Sequence, residues 1–480
     1  MKKYLALVLS MVFVLGFAAS AFAIHAEIPA ETTPVVAAKN TQIELSGELR
    51  IRGWYEDNIT NNTGTLKATT GLPYKGGSMS WYDQRVRLAI DVKTAPNVTG
   101  RIHLETGEGP RGDVFTWGGT NSIGGEGGQR PLGPTRLLEA WLAYTGSGLL
   151  GVPAGIKVGH MPLVVGEGLF VDHRRYGDDA ILLYVEPMKG TEINLVTAKL
   201  YEGDTDPAAG LQPTDNTDDI DLYSLMLTHK LDKDNTIGLN YSMANSRDIN
   251  GIISAGTLTE TDAYFADAKA NLQNVGLFAK GKISDIGYRA TADFQFGKIK
   301  DISGSDDLKF RGWGVTLGAN YKLDPVTLRA NFIYGSGDDD DDNKIEQFMT
   351  FPATVIDPNI PTVVYNYRVV TAAGAIGTGI SNTTAYNLGI TASPMKDLTA
   401  HLDYYLLRAS KKLASTGFGS DKDIGSELDL KLTYRIARNL TYAINAGVLF
   451  ADDFYKASST GPTSDPKNAV VFQHQITLSF

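Results

Sequence analysis

Hydrophobic and polar residues alternate one by one along most of this chain. In residues 81–93, Tyr82, Val86, Leu88, Ile90 and Val92 hold one parity, while Asp83, Arg85, Arg87, Asp91 and Lys93 hold the other. Residues 42–56 repeat the pattern, with Ile43, Leu45, Leu49, Ile51 and Tyr55 set against Glu44, Glu48, Arg50, Arg52 and Glu56. Residues 427–436 do so again, Leu428, Leu430, Leu432, Tyr434 and Ile436 alternating with Glu427, Asp429, Lys431, Thr433 and Arg435. A strand sends successive side chains to opposite faces, so each stretch predicts a strand with one oily and one charged face. Each is about ten residues long, the length of a tilted strand that crosses a bilayer. Strands of a soluble sandwich are shorter, and such domains close after about a hundred residues. A polar face that mixes both charge signs with Thr, Asn and Gly suits a water-filled lumen.

The connections fall into two alternating classes. Short ones occupy residues 94–98, 145–154, 186–190, 231–235, 284–285, 323–325, 393–397 and 437–439. Long ones occupy residues 57–78, 107–134, 166–179, 202–218, 246–270, 298–308, 337–381, 410–423 and 452–467. Tight periplasmic turns and long extracellular loops are the habit of outer-membrane barrels. One segment is ambiguous: taking 261–272 and 275–283 as two strands gives an odd count and swaps the sides of half the barrel. Residues 261–270 as loop and 271–283 as a single strand restore an even count. The expectation is therefore all-β, a transmembrane antiparallel barrel of 18 strands.

Both ends fit this picture. Lys2 and Lys3, the apolar run 5–17 and Ala21-Phe22-Ala23 read as a secretory signal peptide over residues 1–23. Residues 24–41 then read as a periplasmic tail, and 42–480 as the barrel. At the other end Val470, Phe472, Ile476, Leu478 and Phe480 share one parity, and a strand ending in Phe looks like the assembly signal of Gram-negative outer-membrane proteins.

Composition narrows the chemistry. The 480 residues hold 51 Gly, 22 Tyr and 18 Phe but no Cys, which excludes disulfides, thiolate metal sites and covalently attached haem. A net charge of −10 with few basic clusters speaks against nucleic acid as a partner. No cofactor is expected. The long loops are more acidic than the chain as a whole, so the wall and turns carry a net positive balance: an acidic rim above a weakly basic barrel.

Arg50, Arg52, Arg85, Arg87, Arg101, Arg289, Arg329 and Arg435 fall on the lumen parity, among Glu105, Glu139, Asp293, Glu427 and Asp429. Opposed charges across a pore screen solutes, whereas pairing between adjacent strands stiffens the wall; both readings stand for these residues. Asp338, Asp339, Asp340, Asp341 and Asp342 are a weak candidate for a divalent cation, or for bridging lipopolysaccharide through one. A block of like charge is more often a solvated loop. For catalysis the candidates are poor: His103 with Glu105 and His401 with Asp403 are same-face neighbours two residues apart, and His173 reads as a loop contact at the rim. The glycines of 118–128 lack the Gly-Lys-Ser/Thr ending of a phosphate loop and read as a long loop, a candidate constriction of the pore.

Three segments resemble the alginate-export-like family of outer-membrane porins. They are Arg136-Leu137-Leu138-Glu139-Ala140-Trp141-Leu142 leading to Ile156-Lys157-Val158-Gly159 and Gly166-Glu167-Gly168, Tyr334-Gly335-Ser336-Gly337-Asp338, and Ile424-Gly425-Ser426-Glu427-Leu428-Asp429-Leu430. The chain departs from the family pattern at Gly159-His160-Met161. The resemblance implies an eighteen-stranded barrel with a charged pore. Together these readings predict a porin of the Gram-negative outer membrane that passes small hydrophilic or charged solutes passively, with membrane lipid and lipopolysaccharide around it. Two alternatives remain open: a sheath around a protein partner in the pore, such as a multihaem cytochrome, and, less favoured, a hydrolase.

Overall fold

The computed structural model describes residues 35–38, 41–59, 78–106, 135–147, 151–201, 219–246, 268–304, 306–338, 343–350, 361–365, 379–413, 420–456 and 466–480. In chain order the strands are β1 (Val35–Ala38), β2 (Thr41–Asp57), β3 (Met79–Ala95), β4 (Val98–Thr106), β5 (Arg136–Gly146), β6 (Ala154–Met161) and β7 (Asp178–Met188). There follow β8 (Thr191–Tyr201), β9 (Ile220–Lys230), β10 (Thr236–Ser246), β11 (Lys269–Ile283), β12 (Ile286–Lys300), β13 (Leu308–Phe310) and β14 (Trp313–Leu323). The last are β15 (Val326–Gly335), β16 (Lys344–Ile345), β17 (Thr383–Met395), β18 (Leu398–Ala409), β19 (Asp423–Ala437), β20 (Leu440–Ala451) and β21 (Ala469–Ser479).

Eighteen of these form a closed antiparallel wall, each pairing with the next and β21 returning to β2 from Glu48↔Ser479 to Asp57↔Val470. Closure removes every sheet edge and satisfies the backbone without water, the condition for crossing a bilayer. The remaining three are accessory. β1 folds back on the start of β2, and β13 and β16 make a short parallel pair beside β12. The ambiguous segment is one strand, β11, which begins at Lys269, two residues before the expected start.

The short connections lie together at one end. In one of them Asp232 accepts the backbone N–H groups of Asp234 and Asn235 at 2.7 and 2.8 Å. The Asn235 side-chain amide, donating at 2.8 Å, holds that carboxyl below its usual range. At the same end Phe480 and Gly47 exchange backbone hydrogen bonds of 2.8 and 3.0 Å, and the Phe480 ring covers the space a Gly47 side chain would need.

Exposure follows the alternation. Leu49, Leu88, Ile102, Leu142, Leu195, Leu277, Leu388 and Leu402 stand out on one face, the one the bilayer covers. Tyr55, Tyr82, Tyr223, Trp313 and Tyr386 border this band toward the long loops, and Tyr144, Tyr321 and Phe480 border it toward the turns. Such aromatic girdles mark the two membrane interfaces.

The interior is not uniformly wet. Toward the long-loop end, lumen-facing Leu222, Leu272 and Ile299 pack with Leu163, Val165, Phe170 and Val171 of a connection folded inward. A second cluster joins Leu169, Ile333, Phe348, Tyr365, Tyr405 and Leu407. Each fully buried Leu or Phe contributes about 1.5–3 kcal/mol, enough for two such clusters to hold loops inside the barrel.

Candidate channel lumen

On the inner face of β2 and β3, paired rungs descend from the long-loop end: Trp54↔Trp81, Arg52↔Asp83, Arg50↔Arg85 and Glu48↔Arg87. Arg52 grips Asp83 with two hydrogen bonds of 2.7 and 3.0 Å. Arg85 donates to Glu48 at 3.0 Å, and Arg87 to Glu105 on β4 at 2.8 Å. Lower down, Arg101 lies 3.2 Å from Glu139 on β5, which also meets His103 at 3.0 Å and the Trp141 indole N–H at 2.8 Å. Strand register thus spreads the acids among the arginines: Asp83 and Glu105 meet the base directly across the sheet, whereas Glu48 and Glu139 reach Arg85 and Arg101 on the diagonal.

Residues 162–177, between β6 and β7, fold into the lumen instead of joining the rim. Two glycines make the fold possible: Gly166 at φ +59° and Gly168 at φ +85° occupy the left-handed region that side chains disfavour. Gly166 also sits where any Cβ would come 2.3 Å from the Asn240 amide oxygen on β10. The turn is tied internally by Val165 to Val171 and His173 to Leu163 backbone bonds of 3.0 and 2.8 Å. Glu167 then reaches across to Lys280 on β11 at 2.8 Å. This folding brings Arg174 and Arg175 over the β2–β5 wall. There they enclose, with Arg50, Arg52, Arg85, Arg87, His103, Leu138 and Glu139, a cavity of about 470 Å³. Six arginines and one glutamate line it, and Arg52, Arg85, Arg87 and Arg174 are each paired with a neighbouring carboxylate, so guanidinium groups face the cavity while their charge is partly balanced.

A second inward segment is built from the connection between β15 and β17. Gln295 on β12 donates to the Met349 carbonyl at 2.7 Å and accepts the Met349 N–H at 2.8 Å. Further along, Glu427 accepts the backbone N–H groups of Val364 and Tyr365 at 2.7 and 2.8 Å, and Asp429 that of Val363 at 2.9 Å. The Tyr405 hydroxyl donates to the Pro361 carbonyl at 2.8 Å, and the Tyr365 hydroxyl lies 3.0 Å from that of Thr383. Burial pushes the Tyr365 phenol above its usual range, so it stays neutral. Gly425, at φ +128° and with Phe450 O within 2.0 Å of a would-be Cβ, shapes the start of β19 that aims the two carboxylates inward. Glu427 and Asp429 are buried under this segment, not open to the channel water.

The other expected residues scatter around the wall. Arg289 on β12 lies within electrostatic range of Glu167 and Arg174. Asp293, also on β12, is buried and accepts from Asn274 at 3.1 Å. Arg329 on β15 bonds Asp403 on β18 at 2.7 and 2.9 Å. Arg435 sits at the turn end, donating to Asp397 at 2.7 Å. The two same-strand dyads do not form: Glu105 is taken by Arg87, His401 meets Thr391 at 2.9 Å, and Asp403 serves Arg329. His173 is no rim contact but is buried, 2.9 Å from Asp178. His160, where the family pattern breaks, bridges Asp179 and the Tyr176 carbonyl at 2.9 and 2.6 Å.

Asp338 accepts the Glu346 N–H at 3.3 Å, while Asp339, Asp340, Asp341 and Asp342 lie outside the described residues, as do the glycines of 118–128 and the signal-peptide segment. Among the described residues no group of three or more His, Asp or Glu is placed to hold a metal ion. Sequence reasoning missed Arg174 and Arg175, whose role depends on an inward loop, and Trp54 and Trp81. The signal for the tryptophans was present: both stand on the charged parity of their strands, where an aromatic residue faces the lumen.

A closed barrel of eighteen strands, oily outside and charged within, with loops folded into its lumen, is a porin-type channel protein of the Gram-negative outer membrane. A model of the alginate export family matches residues 75–468, and the chain belongs to that family. Among solved structures it is similar to Pseudomonas aeruginosa OccK9 (OpdG), at 12% identity over 91% of this chain and 98% of that one, with a TM-score of 0.54. Pseudomonas aeruginosa OpdK with vanillate is 9% identical over 91% and 98% of the two chains, with a TM-score of 0.51. At these identities the likeness shows the fold alone. Curated protein sequences gave no match.

Proposed function

We propose that this outer-membrane channel passes small hydrophilic anions, carboxylates foremost, by passive diffusion. The observation that carries the reading is the cavity under residues 162–177, lined by six arginines and one glutamate. A cleft lined by one sign of charge raises the local concentration of the opposite sign, and arginine matches a carboxylate with two parallel hydrogen bonds. Arg50, Arg52, Arg85, Arg87 and Arg101 form the proposed attractive wall, with Glu105 holding Arg87 and Glu139 holding Arg101 in place. Arg289 faces them beside Glu167. Barrels of this strand number are wide enough for water, and the inward segments narrow that width for small solutes. They also occupy space that a threaded protein partner or a long polymer would need, which favours small units over a sheath.

Liposome swelling with size-matched solutes tests the reading. Proteoliposomes should swell faster in salts of small carboxylates than in neutral sugars of equal size, and slower still in salts of organic cations. Equal rates for all three, with the barrel folded, would contradict it.

A further inference from the structure

The rung above the arginines is aromatic. Trp54 on β2 and Trp81 on β3 are register partners, with ring centroids 5.6 Å apart and planes inclined by 11°, so the two indoles stack nearly parallel. Both stand on the parity of Arg50, Arg52, Asp83 and Arg85, the inner face. Neither is buried. Their placement is fixed from below: the Trp54 indole N–H donates to Asp83 at 2.8 Å, and the Arg52 guanidinium lies 5.0 Å over the Trp54 ring while gripping the same Asp83. Trp54 also packs against the second buried cluster, so the partly exposed ring of Trp81 is the surface the stack offers to the lumen.

We propose that Trp54 and Trp81 form a stacking platform for aromatic carboxylates at the long-loop entrance to the arginine track. The proposal rests on the anion reading above and names the solute class. A flat ring continues the Arg52–Trp54–Trp81 stack in offset geometry, the arrangement aromatic pairs prefer. Successive rungs on one strand face are about 7 Å apart, so an acid group on the edge of a stacked ring is presented to the guanidinium groups one rung below. The platform and the track therefore read two properties of one solute, its planarity and its negative charge. No bond is made or broken; the effect is a residence preference at the mouth of the channel.

The test compares benzoate with cyclohexanecarboxylate, which has the same charge and nearly the same size but a puckered saturated ring, and with glucuronate. Flux and current noise are measured on the full-length protein in bilayers, for the native chain, W81A, W81L and W81F, after the heat-modified gel shift has shown each to be folded. The native channel should favour benzoate over cyclohexanecarboxylate by about 3–10-fold, the range for an added aromatic stack. W81F should keep most of this preference, whereas W81A and W81L should lose it with the chloride-over-potassium selectivity unchanged. A native channel that does not distinguish the two acids, or a W81A channel that still does, overturns the platform and leaves the arginine reading intact. Retardation of glucuronate alone by Trp81 overturns the aromatic class in favour of sugar acids. Absence of any anion preference in the native channel overturns the anion reading and the platform together.

Discussion

Glu427 accepts the backbone N–H of Tyr365 at 2.8 Å from a position with no solvent exposure. A wall carboxylate is thus spent on the main chain of an inward segment, and with Val363 and Val364 the contact ties three successive amides to β19. Hydrogen bonds to a charged group are worth about 1.5–3 kcal/mol each. Glu427→Ala should therefore leave the Val364 and Tyr365 N–H groups unpaired and loosen residues 361–365 from the wall. Single-channel recording should show altered conductance and added flicker, with the folded fraction retained. A recording identical to that of the native channel would mean the segment is held by its apolar contacts alone.

Arg50 and Arg85 face each other in register and both line the arginine-rich cavity. Replacing both with glutamate converts two attractive charges into repulsive ones in a narrow space. The chloride-to-potassium permeability ratio from reversal potentials should fall by about tenfold, the low end of the effect of charge-lined clefts. The change should shrink at high ionic strength, because salt screens the field. An unchanged ratio would leave these arginines as wall braces only.

Leu388, 65% exposed near the middle of β17, stands on the bilayer face of the wall. Leu388→Arg should cost about 2–4 kcal/mol of folding stability, the penalty for a cation at the membrane midplane. Urea titration of the barrel in lipid vesicles reads this directly. No loss would place Leu388 away from the hydrocarbon.

The Phe480 ring lies on Gly47, where a Cβ would come within 2.5 Å of the ring and 2.8 Å of the Arg87 carbonyl. Gly47→Val should displace Phe480 and weaken the seam between β2 and β21, lowering the folded yield seen as a heat-modified gel shift. A yield equal to the native one would show that the seam tolerates the displacement.

Much of this architecture was legible because a barrel wall obeys a period of two. Asp83 and Arg85 sit where their parity put them, and the eight short turns fall where the polar breaks were read. The parity could not say which carboxylate meets which base, since register decides that: His103 meets Glu139 across the sheet, not Glu105 along its own strand. Nor could it foresee what covers Glu427, because its burial comes from residues about sixty positions away in a loop with no period. The inward fold of residues 162–177 had a clue in Gly166 and Gly168, but two glycines signal a turn without its direction. Leu163, Val165, Phe170 and Val171 were the stronger sign, an oily run that an external loop would have left in water.

Planar-bilayer recording of the purified full-length chain in a potassium chloride gradient bears most directly on the channel itself. Discrete conductance steps with a reversal potential on the anion side are the predicted result. A folded protein that gives no steps, or steps that favour potassium, would contradict the account.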